Sequence, residues 1–151
     1  METASEVIAK AAEVATAAHA GQVDKSGADY IGHPARVASN VRRLFPDAPD
    51  EAVAVAWLHD VAEDTEVGCA QLLEMGFTAD VVAGVDAMTK RQAEPVEEYF
   101  SRVRANLLAR MVKAADLKDN TDPARVAMLD QVTAQRLRVK YDNAYRLLGE
   151  A

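Results

Sequence analysis

The chain has 151 residues, half of them apolar, with 17 Lys and Arg against 24 Asp and Glu for a formal charge of −7. That length suits one ordinary domain with a self-sufficient core, and the acidic balance argues against a general binder of nucleic-acid backbone. The lone Cys69 excludes an intrachain disulfide and a Cys-rich zinc site, no uncharged apolar run reaches the roughly 18 residues of a membrane span, and the N-terminus lacks a secretory pattern, so the expectation is a cytoplasmic protein without membrane partners.

Alanine is abundant and runs of Val, Ile and Thr are short, which favours helices. "SEVIAKAAEVATAAHA" has apolar residues on a helical period and Ser5 as a cap, predicting a helix over 5–20. "GQVDKSGADYIGHP" (21–34) reads as a loop, and Pro34 can open the next helix, "PARVASNVRRLF". Arg42 and Arg43 complement that helix's C-terminal dipole. "PDAPD" breaks the chain before Asp50 caps "EAVAVAWLHDVAED". "CAQLLEMGF" reads as a short helix stopped by Gly76, and "TADVVAGVDAMT" as one capped by Thr78. "KRQAEPV" connects to two helices that divide near Asn106. Thr121 or Asp122, with Pro123 following, caps a last helix running to the end. The expected architecture is all-α: about seven or eight helices in one compact bundle spanning residues 1–151, with no convincing strand.

"AWLHDVAEDT" (56–65) puts costly groups in a stretch that otherwise wants Ala, Val and Leu. On a helix, with His59 at zero, Asp60 falls near 100°, Glu63 near 40° and Asp64 near 140°, so all four share a sector of roughly 140°. Imidazole with carboxylate suits Mn, Fe, Zn or Mg. The next turn can add a carboxylate base. The plainer reading is a solvated helix end. His33, at a loop–helix junction, and Asp116 with Asn120, at i and i+4 after the apolar "VKAA", weigh against it. An unpaired carboxylate there would be expensive to bury, and a metal shared with His33, His59 and Asp60 would stabilise the whole set. Spacing alone leaves both readings open.

With "HAGQVDKSGADYIGHPARVA" (19–38), "AWLHDVAEDT" (56–65), "GVDAMTKR" with "EEYFSRV" (84–103) and "KAADLKDNTDP" (113–123) in this order, the chain resembles the HD superfamily of metal-dependent phosphohydrolases. Within it, the chain is most similar to the hydrolase domains of RelA/SpoT-type enzymes and the small alarmone hydrolases. The resemblance implies an all-helical fold and a divalent metal, usually Mn2+, on His33, His59, Asp60 and Asp116. It implies Glu63 and Asp64 as the catalytic acidic pair that activates water, and Asn120, Lys25 and Tyr30 at the nucleotide. Thr89 and Lys90 match a further stretch. The implied reaction is removal of a 3′-pyrophosphate from a nucleotide polyphosphate of guanine or adenine, with Lys25, joined by Lys113 or Lys118, offsetting phosphoryl charge. Two other functions remain: an HD phosphohydrolase for a nucleoside monophosphate, a deoxynucleotide or NADPH, and a nucleotide sensor without turnover. A homodimer is one open arrangement.

One position departs from the family pattern. The alarmone hydrolases usually carry Arg-Lys after "GQ", whereas "GQVDKSG" has Asp24 before Lys25. A carboxylate facing the pocket would repel phosphate, so guanine tetraphosphate specificity is the feature this departure bears on. His19 is expected as a cap or packed side chain and Cys69 as a small buried residue. Trp57, Tyr99 and Phe100 are expected in the core. Arg136, Arg138 and Lys140 are expected on a solvated face, with a phosphate clamp at the pocket mouth or a subunit contact as the alternative.

Overall fold

The structure, a computed structural model, describes residues 4–149, with side chains from residue 6 onward. The cap expected of Ser5 lies outside those side chains. Ten helices are described: α1 (Ala4–Ala18), α2 (Gly32–Leu44), α3 (Asp50–Leu58), α4 (Val61–Asp64), α5 (Cys69–Glu74), α6 (Ala79–Met88), α7 (Val96–Ala105), α8 (Leu107–Asn120), α9 (Pro123–Val126) and α10 (Gln131–Leu148). Among the described residues the β structure is one isolated antiparallel bridge, Val23 with Asp29, in the loop before α2. No described helix is long and apolar enough to cross a membrane.

α3 is the axis of the bundle. Its residues Ala52 to Ala56 and Leu58 are all buried, as a helix apolar all round should be. It packs on α1, α2, α6 and α8. Small Ala and Val side chains let those neighbours come close. α1 offers the stripe Val7, Ala11 and Ala15, and α2 offers Val37 and Val41. Each valine so buried contributes about 1.5–3 kcal/mol. α8 runs across the same core and packs on α2, α3, α6, α7 and α10. α3 therefore carries His59 into the interior at a point that α2 and α8 also reach.

Several ends fall where side-chain chemistry puts them. Thr78 accepts from the Val81 amide, Asn106 from the Ala109 amide, and Asp122 from the Ala124 amide with Pro123 first in α9. Two expected helices are each divided. The stretch 51–64 breaks at His59–Asp60, where the His59 ring places Nδ1 2.6 Å from the Ala56 carbonyl. A continuing helix would give that carbonyl to the amide of residue 60. The final helix breaks after α9, because Asp130 accepts from both the amide and the hydroxyl of Thr133 at 2.8 Å and starts α10 afresh.

Gly84 on α6 is where close approach demands glycine: a Cβ there would lie 2.9 Å from Cγ2 of Val55, which is fully buried and cannot yield. Gly84→Ala should therefore destabilise the protein by about 1–2 kcal/mol, the overpacking strain outweighing the helix-propensity gain of about 1 kcal/mol. Denaturant midpoints at unchanged slope would measure it, and a more stable variant would refute the close contact.

Candidate active site

Four donors from three directions meet at the floor of a cavity of about 450 Å3. α2 brings His33, the α3–α4 turn brings His59 and Asp60, and α8 brings Asp116. His33 Nε2 lies 2.9 Å from Asp116 Oδ1 and 3.8 Å from Asp60 Oδ2. His59 Nε2 lies 3.1 Å from Asp60 Oδ2 and 3.5 Å from Asp116 Oδ1. His33, His59 and Asp60 offer donor atoms all within 4.8 Å of one another, and so do Asp60, Glu63 and Asp64.

The rings are fixed from behind. His33 Nδ1 is 2.6 Å from Asp119 Oδ2 and His59 Nδ1 is 2.6 Å from the Ala56 carbonyl. With each Nδ1 donating its proton, each Nε2 carries a lone pair aimed at carboxylate oxygens. Four acceptors facing one another repel unless a cation sits among them. His59 Nε2 is buried and has no hydrogen-bond partner. This is the donor set and tautomer arrangement of a divalent metal site, and the residues present fit such an ion.

The electrostatics agree. Burial opposes charge at both rings, yet the Asp116 and Asp119 bonds hold His33 above its ordinary value, and the Asp60 and Asp116 carboxylates hold His59 well above it. Burial likewise opposes ionised Asp116, but Lys113 and the two rings keep it well below the carboxylate range. Asp60 is also lowered, by His59 against its own burial.

Glu63 and Asp64 stand at the rim. Glu63 Oε1 accepts the Lys90 amide at 2.8 Å. The Asp64 backbone carbonyl accepts from Gln22 Nε2 at 3.0 Å. Partial burial, then the Asp60 and Glu63 charges, raise the Asp64 carboxyl. Tyr30 donates its hydroxyl to Asp60 Oδ2. Asn120 Nδ2 is 3.2 Å and Lys113 Nζ 3.1 Å from the two oxygens of Asp116. Lys25 lies on the pocket wall with Lys90 and Lys140.

Some residues sit elsewhere than expected. Lys118 faces a separate cleft with Arg36 and Arg43, so it does not serve the pocket. Lys140 lines the pocket and is no simple solvated side chain, because α10 folds back over the site. Tyr99 and Phe100 are buried as expected but also line the cavity beneath Lys113. Cys69 is half-buried. Arg42 does more than meet a dipole, since it bonds the Ala48 carbonyl at 2.6 Å and pairs with Asp50. Thr89 Oγ1 returns to the Val85 carbonyl. His19 is buried outside the donor cluster, with Nδ1 2.9 Å from Gln22 Oε1 and its ring 4.9 Å from that of Tyr30.

Sequence reasoning passed over Asp119, Gln22 and Arg125. Asp119 is buried and binds His33, Arg36 Nε at 2.7 Å and Arg125 Nη1 at 2.8 Å. The available signal was its place three residues after Asp116, on the same helical face, matched by Arg36 three residues after His33.

The raised histidine values give a sign for pH. Without metal, protonated His33 and His59 stabilise the fold fully below about pH 6.5, and this is lost as pH rises through their folded values. A divalent ion held by this donor set would take the place of those protons at Nε2. The melting-temperature gain on adding Mn2+ should thus be larger near pH 8 than near pH 6, with protons released on binding, more of them at the lower pH. Thermal melts and calorimetry in two buffers check this, and a gain that shrinks with rising pH contradicts it.

Known proteins place this geometry. The HD domain family matches residues 11–130. A guanosine-3′,5′-bis(diphosphate) 3′-pyrophosphohydrolase of Haemophilus influenzae is 38% identical over 117 residues, 71% of this chain and 17% of that protein. A probable enzyme of the same name from Synechocystis is 36% identical over 113 residues, 68% of this chain and 14% of that protein. The chain thus spans less than a fifth of the length of these relatives. A solved structure, described as a metazoan ortholog of SpoT that hydrolyzes ppGpp and plays a role in starvation responses, superposes with a TM-score of 0.73 at 20% identity, covering 94% of this chain and 85% of its own. On fold, on donor geometry and on the match over residues 11–130, the chain belongs to the HD domain family.

Proposed function

We propose that this protein is a metal-dependent hydrolase that removes the 3′-pyrophosphate of a guanosine 3′,5′-bis(diphosphate)-type nucleotide, acting in the cytoplasm through this HD domain with Mn2+. The observation that carries the reading is the pairing of a cation-seeking donor cluster with a lysine-lined mouth in one cavity. His33, His59, Asp60 and Asp116 would hold the ion. Lys25, Lys90 and Lys140 line the walls, and Lys113 lies deeper. Burial works against charge on Lys113, yet Asp116 and Tyr99 hold its ammonium above the ordinary value, so it stays cationic. A substrate with two separated diphosphates matches cations placed at both depths. Val96, Met128, Leu129 and Tyr141 line the same cavity and offer apolar surface to a base.

When bound, the divalent ion supplies a Lewis acid and a water of lowered pKa. The chain's own groups do the rest. Asp64, its carboxyl raised by partial burial and by the Asp60 and Glu63 charges, accepts a proton from the attacking water. Glu63, held by the Lys90 amide, orients that water. The water oxygen bonds to the phosphorus nearest the ribose, the 3′-O–P bond breaks, and the proton passes to the 3′ oxygen. The products are pyrophosphate and a nucleoside 5′-diphosphate. Lys113 and the wall lysines offset charge on the phosphoryl oxygens. Adenine analogues are the second substrate to test, because Asp24 stands where the family pattern has arginine.

His59→Ala should abolish both Mn2+ binding and turnover. Glu63→Gln and Asp64→Asn should keep Mn2+ and lose about 100-fold or more in kcat. Calorimetry for the metal and chromatography of products from guanosine and adenosine 3′,5′-bis(diphosphates) provide the measurements. Wild-type rates in both carboxamide variants, or absence of pyrophosphate with either nucleotide, would sink the reading.

A further inference from the structure

The loop that carries Lys25 and Tyr30 is built around one carboxylate. Asp24 Oδ1 accepts from the Ser26 amide at 2.8 Å, the Ser26 hydroxyl at 2.6 Å and the Ala28 amide at 3.1 Å. The Asp24 amide donates to the Ala28 carbonyl at 2.8 Å, and the Gly27 amide returns to the Asp24 carbonyl at 3.0 Å. Gly27 closes this turn at φ +88°, where a side chain would be strained. The other oxygen, Asp24 Oδ2, lies 3.6 Å from Arg125 Nη2. Asp24 therefore lines the pocket with both oxygens engaged, and its side chain is only 11% exposed. It does not present a free anion to an incoming phosphate.

Arg125 is the link that makes this more than a local turn. It comes from the short α9, and its Nη1 lies 2.8 Å from Asp119 Oδ2. That same oxygen receives His33 Nδ1 at 2.6 Å. One guanidinium thus spans two carboxylates: one shapes the loop bearing Lys25 and Tyr30, the other orients a histidine of the donor cluster. A planar fork can hold both at once, which a lysine ammonium cannot do with the same geometry.

We propose that Asp24 and Arg125 form a positioning strut that ties the pocket loop to the support of His33, so that the seat of the nucleotide and the aim of the histidine are set together. The proposal rests on reading this cavity as a metal-dependent nucleotide hydrolase. Neither residue touches the reacting atoms; both act through others. Without Arg125, Asp119 loses a donor that fixes its rotation, and Asp24 is left unneutralised at the pocket wall. Without the Asp24 charge, Arg125 loses one of its two anchors and holds Asp119 less firmly.

Three variants separate this strut from a merely local contact. Asp24→Asn keeps an acceptor for the turn and removes the ion pair. Arg125→Met keeps the stem and removes the fork. Arg125→Lys keeps the charge and loses the span. Mn2+ affinity by calorimetry and amide exchange over residues 24–28 are measured without nucleotide; kcat and KM are then measured with guanosine 3′,5′-bis(diphosphate). Arg125→Met should weaken Mn2+ about 10-fold and speed exchange in the loop, with Arg125→Lys recovering part of both. Asp24→Asn, which acts on the ligand support only through Arg125, should weaken Mn2+ by roughly 2- to 5-fold, less than the roughly 10-fold or more of a direct supporting contact, and raise KM more than it lowers kcat. The double variant Asp24→Asn with Arg125→Met should bind Mn2+ no more weakly than Arg125→Met alone. Mn2+ affinities within about two-fold of wild type in both single variants, or losses that multiply in the double, overturn the strut. If Arg125→Met fails to fold, Asp24→Asn and Arg125→Lys decide the matter by the same two readings. A wild-type protein that binds Mn2+ but leaves the nucleotide intact would defeat the functional reading while the metal and exchange results still judge the strut.

Discussion

Asp116 is a carboxylate at 5% exposure in the middle of a helical bundle, and the arrangement around it follows from the need to keep it charged. Its two oxygens are divided. Oδ2 faces Lys113, and Oδ1 faces Asn120 and both ring nitrogens of the donor cluster. A buried ion without partners would cost several kcal/mol. The partners come from one turn before and one turn after on α8, and from α2 and the α3–α4 turn across the core. Removing the cation-holding chemistry from this point would leave the interior with charges that no other part of the fold can satisfy.

The same helical arithmetic repeats one turn along. On α8, Lys113, Asp116 and Asp119 follow at intervals of three, while on α2 His33 and Arg36 do the same. Facing each other, the two helices match charge at successive levels: His33 between Asp116 and Asp119, then Arg36 on Asp119. The apolar side of the bundle makes this register hold. α3 is lined with Ala and Val and admits its neighbours closely, and Gly84 removes the one Cβ that would push α6 away from Val55. Packing on α3 thus sets where His59 arrives.

Helix content, the Thr78 and Asp122 caps and the local grouping at 59–64 were legible because each depends on short-range chemistry: periodicity, a capping oxygen, a glycine stop. Asp50, expected as a cap, is instead the first residue of α3 after Pro49, and no side chain caps that end. The meeting of His33 with Asp116 was one of two readings left open by the cost of burying Asp116, and only the family resemblance favoured it, since nothing in local spacing brings residues 33 and 116 together. The break at His59 escaped notice because it depends on an imidazole bonding the Ala56 carbonyl, and the sector argument assumed a straight helix. Asp130 was hidden in an apolar-periodic run. Lys140 and Arg125 were harder for a different reason. Lys140 was open to two readings, a solvated cation or a clamp at the pocket mouth, and Arg125 carried no signal, until the helices after α8 fold over the pocket, which is a tertiary fact with no local trace. Lys118 shows the converse, a cation close in sequence to the site that points into another cleft.

The chain is acidic overall, yet its pocket gathers cations, and the two facts are compatible. Charges farther apart than about 8 Å are largely screened at physiological salt, so a polyanion at the mouth feels the wall lysines more than the distant surface. Those lysines also press on one another. Lys140 is lowered first by partial burial and then by Lys90, Lys25 and Lys113, and that repulsion costs some stability. A polyphosphate of the kind proposed as substrate would reverse that sign, replacing repulsion among ammonium groups with attraction to each. The acidic floor would repel the same ligand, unless the charge there has already been met by a divalent ion. Lysine walls and carboxylate floor therefore favour occupants of opposite charge, which is what the proposed metal-dependent hydrolysis of a polyanion would bring to this cavity.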